Sequence, residues 1–372
     1  MHIPYCKTRC PYCDFFTQTD PSHRPDFVGA LSGELELRRD YLEGAVVSTV
    51  YFGGGTPSLL SPLQLEGLMD KIRRLFHLEE DPEVTLECNP DDVDRDYLMA
   101  VRSAGVNRLS LGLQSFDDRK LAFLGRRHDA RQNRVVLEEA LAVGLDNLSI
   151  DLIYGLPGSD TEVWKEDLER AFAFPIRHLS AYHLTIEPDT PFGRMKARGQ
   201  LEEVDEQTSL GQFEVLIEYA AGRGMEHYEL SNFCQPGYRS RHNSGYWQRR
   251  SYLGLGPSAH SYNLAARHRN ISNLKQYMDG VTKGKPVMEE EVLDKSDHFN
   301  DQLITGLRTR EGIGLDDIGR RFGDPYRDYL RRASRPFIDR GQLIFDGHHL
   351  RLSRKGMFIS DAIMRELVYV RD

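Results

Sequence analysis

Three cysteines lie within eight residues near the beginning of this 372-residue chain. Cys6, Cys10 and Cys13 have the spacing C-x3-C-x2-C, so one short loop carries all three thiols. Three thiolates can hold three corners of a [4Fe–4S] cluster and leave the fourth iron open to a small molecule. A structural zinc site is the alternative, with His2 or Cys88 as fourth ligand. Zinc sites usually combine two C-x2-C-like halves, and this sequence has one, so the spacing favours iron–sulfur.

A second group of candidate residues follows short apolar, β-branched runs. The run at residues 46–52 leads into Gly53-Gly54-Gly55-Thr56-Pro57, where the glycines let a ligand approach the backbone closely. Glu87, Gln114 and Asp151 stand at or just past the ends of three further runs, and Arg126 follows in a basic loop. Carboxylates and amides can bind ribose hydroxyls or an ammonium group, and an arginine can clamp a carboxylate. Each residue alone fits a tight turn or a solvated loop equally well; their joint placement favours a binding site.

The elements that must position these residues are strands alternating with helices. With residues 2–5 as the first strand, the further strands are predicted at residues 46–52, 83–88, 108–113, 147–153 and 178–186. Apolar residues recur at helical spacing between them, most clearly at Leu65, Leu68, Met69, Ile72, Leu75 and Phe76. Six β/α units therefore precede Pro191, which predicts an α/β fold with a parallel sheet or open barrel. Ligands in such folds gather at the carboxyl ends of the strands, where the candidate residues stand.

The second half of the chain has a different pattern. Helices and loops follow Pro191, with a segment rich in histidine and aromatic residues at 228–262. A last unit combines helices near residues 299–307, 315–322 and 337–340 with a hairpin at 343–352, whose turn is Asp346-Gly347. This order resembles a small winged-helix domain. We therefore divide the chain into a barrel at 1–191, a helical and loop extension at 192–294, and a C-terminal domain at 295–372.

Composition restricts the class of protein. Apolar residues make up 40% and charged residues 28%, as in ordinary globular proteins, and no run of apolar residues is long enough to span a membrane. The start has no apolar signal region, and five cysteines do not form a disulfide framework, so we expect a cytoplasmic protein with reduced thiols. The net charge of −9 argues against a nucleic-acid partner, and the excess of three positive charges in 295–372 is too small to reverse that.

Several motifs together resemble a known family. The cysteine loop, with Tyr12 before its third cysteine, is similar to the signature of radical S-adenosylmethionine proteins. With GGGTPS, ECNP, RLSLGLQSF, GRRHDARQ, DLIYGLPG and SRHNSGYW it resembles the oxygen-independent coproporphyrinogen III oxidases and their HemW-type relatives along essentially the whole chain. The resemblance implies a partial (β/α)6 barrel with a winged-helix-like tail and a cluster on Cys6, Cys10 and Cys13. It also implies contacts to S-adenosylmethionine from Gly54, Gly55, Thr56, Glu87, Gln114, Arg126 and Asp151.

Two branches of the family differ at positions that this sequence contains. The oxidase branch carries a further cysteine two positions after the third ligand, where this chain has Phe15, and an N-terminal extension that nothing before Cys6 matches. His242-Asn243-x-x-Tyr246-Trp247 matches the HNxxYW motif of the HemW branch, regarded as heme chaperones. The resemblance thus implies heme as cargo near the barrel mouth, with heme-acceptor proteins and an electron donor as partners. Peripheral contact with membrane-bound acceptors would be compatible with this role.

The residue that would bind heme iron stays open at this point. Imidazole is a natural axial ligand of heme, and flanking aromatic rings can stack on a porphyrin. His242 is the candidate ligand, with a structural role as the alternative; His260 is the second candidate. The competing function is a true oxidase, in which a 5′-deoxyadenosyl radical from S-adenosylmethionine starts two decarboxylations of coproporphyrinogen III to protoporphyrinogen IX.

The start of the chain departs from the family pattern. Family members generally have several residues, often including a tyrosine, ahead of the strand that begins here at Met1. The resemblance implies either a shortened first strand or a true start upstream of Met1. We expect the contact of that tyrosine to S-adenosylmethionine, and some stability of the cluster, to be affected.

Overall fold

The structure is a computed structural model that describes residues 1–370; residues 371 and 372, the end of the predicted C-terminal domain, lie outside the described residues. Six parallel strands form its centre, each paired with the next in chain order. They are β1 (His2–Ile3), β2 (Val47–Gly54), β3 (Leu78–Cys88), β4 (Arg108–Gln114), β5 (Leu148–Tyr154) and β6 (His178–His183). The predicted α/β fold and its six strands are therefore confirmed.

Alternation of residue type along these strands creates a polar inner face. Apolar residues such as Phe52, Leu86 and Ile150 are fully buried in the main core. The residues between them bond to the neighbouring strand instead: Tyr51 to Glu87, and Ser110 to Asp151. Because successive side chains point to opposite faces of a strand, the polar set shares one face of the sheet.

Helices cover the apolar face of the sheet. They are α1 (Arg24–Leu37), α2 (Pro62–Leu75), α3 (Arg95–Ser103), α4 (Asp118–Phe123), α5 (Ala130–Ala142) and α6 (Thr161–Ala171), with a 3-10 turn at Pro57–Leu59. α2 shows why they form where predicted: Ser61 and Gln64 make a capping box at its start. Its predicted stripe is buried at Leu65, Leu68, Met69 and Ile72.

The following segment contributes to the same sheet. It contains α7 (Pro191–Ala197), α8 (Glu206–Gly222), β7 (Glu226–Glu229), β8 (Asn232–Cys234), α9 (Arg241–Trp247), β9 (His260–Tyr262), β10 (Ala266–Asn270), α10 (Leu274–Thr282) and β11 (Met288–Val292). β8 pairs antiparallel with β6 and β7 pairs with β8, which makes an eight-stranded sheet. The sequence pattern indicated only helices and loops here, because strands of three to five residues are too short to show an apolar alternation. The domain division remains a prediction, and its first boundary would fall within α7.

The last part of the chain has a separate core, which includes Phe299, Leu303, Ile318, Leu330 and Ile363. Its elements are α11 (Lys295–Leu307), β12 (Ile313–Gly314), α12 (Leu315–Phe322), α13 (Asp324–Asp339), β13 (Leu343–Phe345), β14 (His349–Leu352), α14 (Arg354–Phe358) and α15 (Ser360–Leu367). The predicted hairpin is present, since β13 pairs antiparallel with β14. The predicted helix at 337–340 is wrong in extent: it is the end of α13, which continues through Pro336. Within residues 1–370, no helix has the length and apolar character needed to cross a membrane.

Candidate functional site

The three cysteines line a cavity of about 550 Å³. Their loop follows β1 and is closed by backbone bonds from Cys6 to Gln18 at 2.9 Å and from Cys13 to Cys10 at 3.2 Å. Two donors point at the cysteine sulfurs. The hydroxyl of Thr56 donates to Sγ of Cys6 at 3.4 Å, and Nη1 of Arg126 donates to Sγ of Cys10 at 3.5 Å. The loop is therefore tied to two other walls of the cavity.

All of the residues expected to contact S-adenosylmethionine line this same cavity: Gly54, Gly55, Thr56, Glu87, Gln114, Arg126 and Asp151. Most come from the ends of β2, β3 and β4 and from the loop after α4, as expected for parallel strands. Asp151, expected at a strand end, lies instead in the middle of β5. The structure thus brings the three cysteines and all seven of these residues into one cavity, although Cys6 and Asp151 are 145 positions apart in the sequence.

The glycine run lies against β1 and Glu87. Gly54 has a φ of +106°, which favours glycine, and its backbone N–H donates to Oε2 of Glu87 at 3.0 Å. A side chain on Gly55 would come within 2.7 Å of the carbonyl oxygen of Ile3. These glycines therefore allow the strand end to pass close to both the neighbouring backbone and the carboxylate.

Arg126 is held in the wall of the cavity by three acceptors. Its Nη2 donates to the carbonyl oxygen of Gly112 at 2.9 Å and to Oδ1 of Asn89, while Nη1 reaches Cys10. Asn89 in turn donates to Thr56 Oγ1 at 3.1 Å. A Cβ on Gly112 would approach the Arg126 guanidinium to 3.3 Å, so the missing side chain at this strand position leaves room for it.

Gln114 occupies a strained position at the end of β4. Its φ is +67°, a region that residues other than glycine rarely adopt, and the β4–β5 register shifts between Leu111 and Gln114. Strain of this kind persists where the surrounding structure imposes it, and it concentrates at functional sites. Gln114 lines the cavity.

Asp151 and Glu87 are two carboxylates on the inner face of the sheet. Burial raises the pKa of Asp151 to about 7, and the charge of Glu87 adds to that increase. Burial also raises the pKa of Glu87, against the hydrogen bonds from Tyr51 and Gly54 that lower it. A ligand cation or a hydroxyl donor would compensate both groups, so the acidic floor suits a ligand with an ammonium group and sugar hydroxyls.

The donor set fits an iron–sulfur cluster better than a single zinc ion. No three His, Cys, Asp or Glu side chains within residues 1–370 are gathered closely enough to hold one metal ion. Of the two candidates for a fourth zinc ligand, His2 has its ring packed against Gly54 and Phe16. Cys88 lines the cavity, but it is buried and its thiol donates to the carbonyl oxygen of Leu86 at 3.8 Å. Three sulfurs around a cavity, two of them receiving hydrogen bonds, match what a larger cluster requires of its thiolates.

His242 does not lie in the cysteine cavity. It lines a separate cavity of about 480 Å³ beside the first half of β2, whereas the cysteine cavity lies at the end of that strand. Its Nδ1 is 2.8 Å from the hydroxyl of Thr49, its Nε2 is 2.9 Å from the hydroxyl of Tyr246, and its ring stacks on Tyr51. Heme was expected near the barrel mouth, whereas His242, the candidate ligand, lines the other cavity. The second candidate, His260, is exposed at the start of β9.

Two residues of the site were not predicted from the sequence. Asn89, within the ECNP motif, connects Arg126 to Thr56. Tyr51 donates to Oε1 of Glu87 at 2.7 Å, although in the sequence it looks like one more apolar residue of β2. The available signal was strand alternation, because Tyr51 lies two residues before Gly53 and thus on the same face as the end of the glycine run.

Comparison with known proteins agrees with this geometry. The Radical SAM superfamily model matches residues 1–171, and the HemN C-terminal domain model matches residues 293–359. The solved coproporphyrinogen III oxidase HemN from Escherichia coli has the same fold, with a TM-score of 0.85 and 24% identity, over 99% of this chain and 88% of that one.

Curated relatives extend over nearly the whole sequence. "Heme chaperone HemW" of Mycobacterium tuberculosis is 36% identical over 375 residues, covering 99% of this chain and 94% of the relative. "Heme chaperone HemW" of Lactococcus lactis is 31% identical over 369 residues, covering 99% and 96%. Identity at this level over both the barrel and the C-terminal domain, together with the assembled cysteine cavity, leads to one assignment. The chain belongs to the HemW-type family of radical SAM proteins.

Proposed function

We propose that this protein is a heme chaperone, which binds a [4Fe–4S] cluster, S-adenosylmethionine and heme and delivers the heme to acceptor proteins. The observation that carries the proposal is full-length similarity to proteins named heme chaperones. The HNxxYW segment supports it, since it forms α9 and is held against the barrel. Acceptor proteins, an electron donor, and the cytoplasmic location expected from the cysteines are parts of the same proposal.

The cysteine cavity would hold the cluster and S-adenosylmethionine. Cys6, Cys10 and Cys13 would ligate the cluster, which when bound would supply the electron for reduction of S-adenosylmethionine. The chain's own residues provide the rest of the site. Gly54, Gly55, Thr56 and Glu87 would hold the amino end, Arg126 the carboxylate, and Gln114 and Asp151 the sugar hydroxyls.

His242 has the properties required of a ligand for heme iron. Burial lowers its pKa to about 3, so the imidazole is neutral at physiological pH and keeps a lone pair for the metal. A proton on Nδ1 would be donated to Thr49, which leaves Nε2 as the atom for iron. Because Nε2 now faces the hydroxyl of Tyr246, heme binding requires the imidazole to exchange this partner for iron.

A hemin titration tests the proposal. Wild-type protein should bind hemin with the absorption spectrum of a histidine-ligated heme, and His242→Ala should lose that spectrum and most of the affinity. His260→Ala is the comparison variant, since this histidine, the second candidate ligand, is exposed and does not line the cavity of His242. Equal hemin affinity and spectra in wild type and His242→Ala would reject His242 as the ligand, and the absence of hemin binding by wild type would reject the chaperone function.

One observation favours the oxidase alternative: the solved Escherichia coli oxidase shares this fold over 99% of the chain. Against it, the position of the additional cysteine in that branch is occupied by Phe15, whose side chain is 65% exposed beside the cavity. Protein with a reconstituted cluster can be supplied anaerobically with coproporphyrinogen III, S-adenosylmethionine and a reductant. Protoporphyrinogen IX formed over many turnovers would establish the oxidase function; we expect none.

A further inference from the structure

One side chain contacts both Glu87 of the cysteine cavity and His242 of the second cavity. Tyr51 belongs to β2, between Thr49, which bonds His242, and Gly54, which bonds Glu87. Its hydroxyl donates to Oε1 of Glu87 at 2.7 Å, and its ring stacks on the imidazole of His242 with 4.6 Å between ring centroids and 19° between planes. A single residue thus contacts the candidate ligand residue of each cavity.

The backbone is adapted to this contact. A Cβ on Gly53 would lie 2.6 Å from Cε1 of Tyr51 and 2.9 Å from Oε1 of Glu87. Gly53 was not among the residues expected to contact S-adenosylmethionine. A glycine at this position instead leaves the space that the side chains of Tyr51 and Glu87 fill. Burial and the nearby charge of Glu87 raise the pKa of Tyr51 well above its usual value, which keeps the hydroxyl protonated as the donor.

We propose that Tyr51 is a positioning residue that couples the two cavities, so that S-adenosylmethionine binding at Glu87 increases the affinity of His242 for heme. This inference rests on the proposed function. An ammonium group bound to Glu87 would compete with the hydroxyl of Tyr51 for the carboxylate, and would weaken the hydrogen bond that Tyr51 now donates. The ring of Tyr51 would then be less firmly fixed against His242.

Release of this ring matters because the imidazole is held on three sides. Thr49 holds Nδ1, Tyr246 holds Nε2, and Tyr51 covers one ring face. The imidazole must turn away from Tyr246 to present Nε2 to iron, and a ring packed at 4.6 Å opposes that rotation. By thermodynamic reciprocity, heme at His242 would increase the affinity for S-adenosylmethionine by the same factor.

The experiment measures hemin affinity with and without saturating S-adenosylmethionine. It uses protein with a reconstituted, oxidised cluster, so that S-adenosylmethionine is not cleaved. In wild type we expect S-adenosylmethionine to tighten hemin binding about fivefold, the lower end of typical coupling between sites. Tyr51→Phe keeps the stacked ring but removes the hydrogen bond. It should bind hemin as tightly without S-adenosylmethionine as wild type does with it, and should respond less than about twofold.

Tyr252→Phe is the matched control, because Tyr252 lines the His242 cavity and packs on Tyr246 but bonds neither Glu87 nor His242. It should retain the wild-type response. Hemin binding that is unaffected or weakened by S-adenosylmethionine in wild type would overturn the coupling and leave the chaperone function standing. An unchanged response in Tyr51→Phe, or its loss in Tyr252→Phe, would overturn the role of Tyr51. Wild-type protein that binds no hemin would overturn both proposals.

Discussion

The guanidinium of Arg126 donates to the sulfur of Cys10 at 3.5 Å and, through its other terminal nitrogen, to the carbonyl oxygen of Gly112 at 2.9 Å. One cation therefore bridges the cysteine loop and the inner face of β4. Since the same side chain lines the cavity, it can bind a ligand carboxylate and a cysteine sulfur at once.

Arg126→Gln should weaken S-adenosylmethionine binding by about tenfold to a hundredfold, because charge-assisted hydrogen bonds contribute roughly 1.5–3 kcal/mol. It should also lower the reduction potential of the cluster, since a positive charge and an N–H···S bond near the sulfur are removed. Anaerobic calorimetry and a redox titration monitored by absorption measure the two effects.

The neighbouring arginine provides the control. Arg127 pairs with Asp91 at 2.6 Å and Asp92 at 3.0 Å and does not line the cysteine cavity. Arg127→Gln should leave both quantities close to wild type. Equal losses in the two variants would show that Arg126 acts only through the stability of the loop.

The strained backbone of Gln114 leads to the prediction that replacing this residue does not lower the free energy of unfolding but does lower the affinity for S-adenosylmethionine. Its left-handed backbone costs about 1–2 kcal/mol for a residue with a Cβ, part of which is offset by the greater flexibility of glycine in the unfolded chain. Gln114→Gly should therefore leave the free energy of unfolding unchanged or raise it by up to about 1 kcal/mol, while S-adenosylmethionine affinity falls about tenfold through loss of the amide. Urea denaturation and calorimetry provide the two values.

A second substitution separates backbone from side chain at this position. Asparagine tolerates the left-handed region better than glutamine and keeps a shorter amide. Gln114→Asn should match the glycine variant in stability and lose affinity because the amide no longer reaches the ligand. Affinity equal to wild type in both variants would remove Gln114 from the binding site.

The raised pKa of Asp151 predicts how stability depends on pH. Between the unfolded value near 4 and the folded value of about 7, the folded protein retains a proton that the unfolded chain has lost. The free energy of unfolding should therefore fall as pH rises through this range, by up to about 1.4 kcal/mol per pH unit for this group. Asp151→Asn lacks the titration, so its stability advantage over wild type should grow from pH 4 to 7 and then stay constant.

Denaturant unfolding of both proteins without added S-adenosylmethionine, from pH 4 to 8, measures this difference. The matched control is Asp146→Asn, since Asp146 lies just before the same strand and is 65% exposed. It should show no comparable trend. A difference between Asp151→Asn and wild type that is constant across the range, or that shrinks toward pH 7, would contradict the assignment.

The barrel and the cysteine cavity could be predicted because local patterns determine them. A short apolar run followed by a polar residue indicates a strand end, and parallel strands bring their ends together. Glu87 and Gln114 line one cavity for this reason; Asp151 also lines it, although it lies in the middle of β5. Motif spacing placed Cys6, Cys10 and Cys13 there as well. None of this required knowledge of contacts distant in the sequence.

The position of His242 could not be predicted in this way. It depends on how the chain returns after β8: α9 is held against β3 and β2 by bonds with residues about 160–190 positions earlier, Glu83 and Thr49. Tyr51 was missed for a related reason: its residue type fits the core, and only its hydrogen bond to Glu87 distinguishes it. Strand type can be read from local pattern, whereas side-chain partners depend on the complete fold.

The anchor of α9 gives a final prediction. Glu83 of β3 accepts from the backbone N–H groups of Arg241 and His242, each at 3.0 Å, at the helix start. Its carboxylate is buried, with 7% exposure, so each bond is charge-assisted and shielded from water. Glu83→Ala should lower the free energy of unfolding by about 2–3 kcal/mol, and hemin should bind without the spectrum of a histidine-ligated heme, because His242 loses its position.

Glu79 is a matched acid on the same strand, which pairs with the side chain of Arg241 at the surface. Glu79→Ala should cost less than about 1 kcal/mol, as exposed ion pairs usually do, and should leave the hemin spectrum unchanged. The comparison isolates backbone anchoring from charge, since both glutamates bond the same residue. If both variants kept the wild-type spectrum while only Glu83→Ala lost stability, α9 would be a structural helix, and the heme ligand would have to be sought elsewhere.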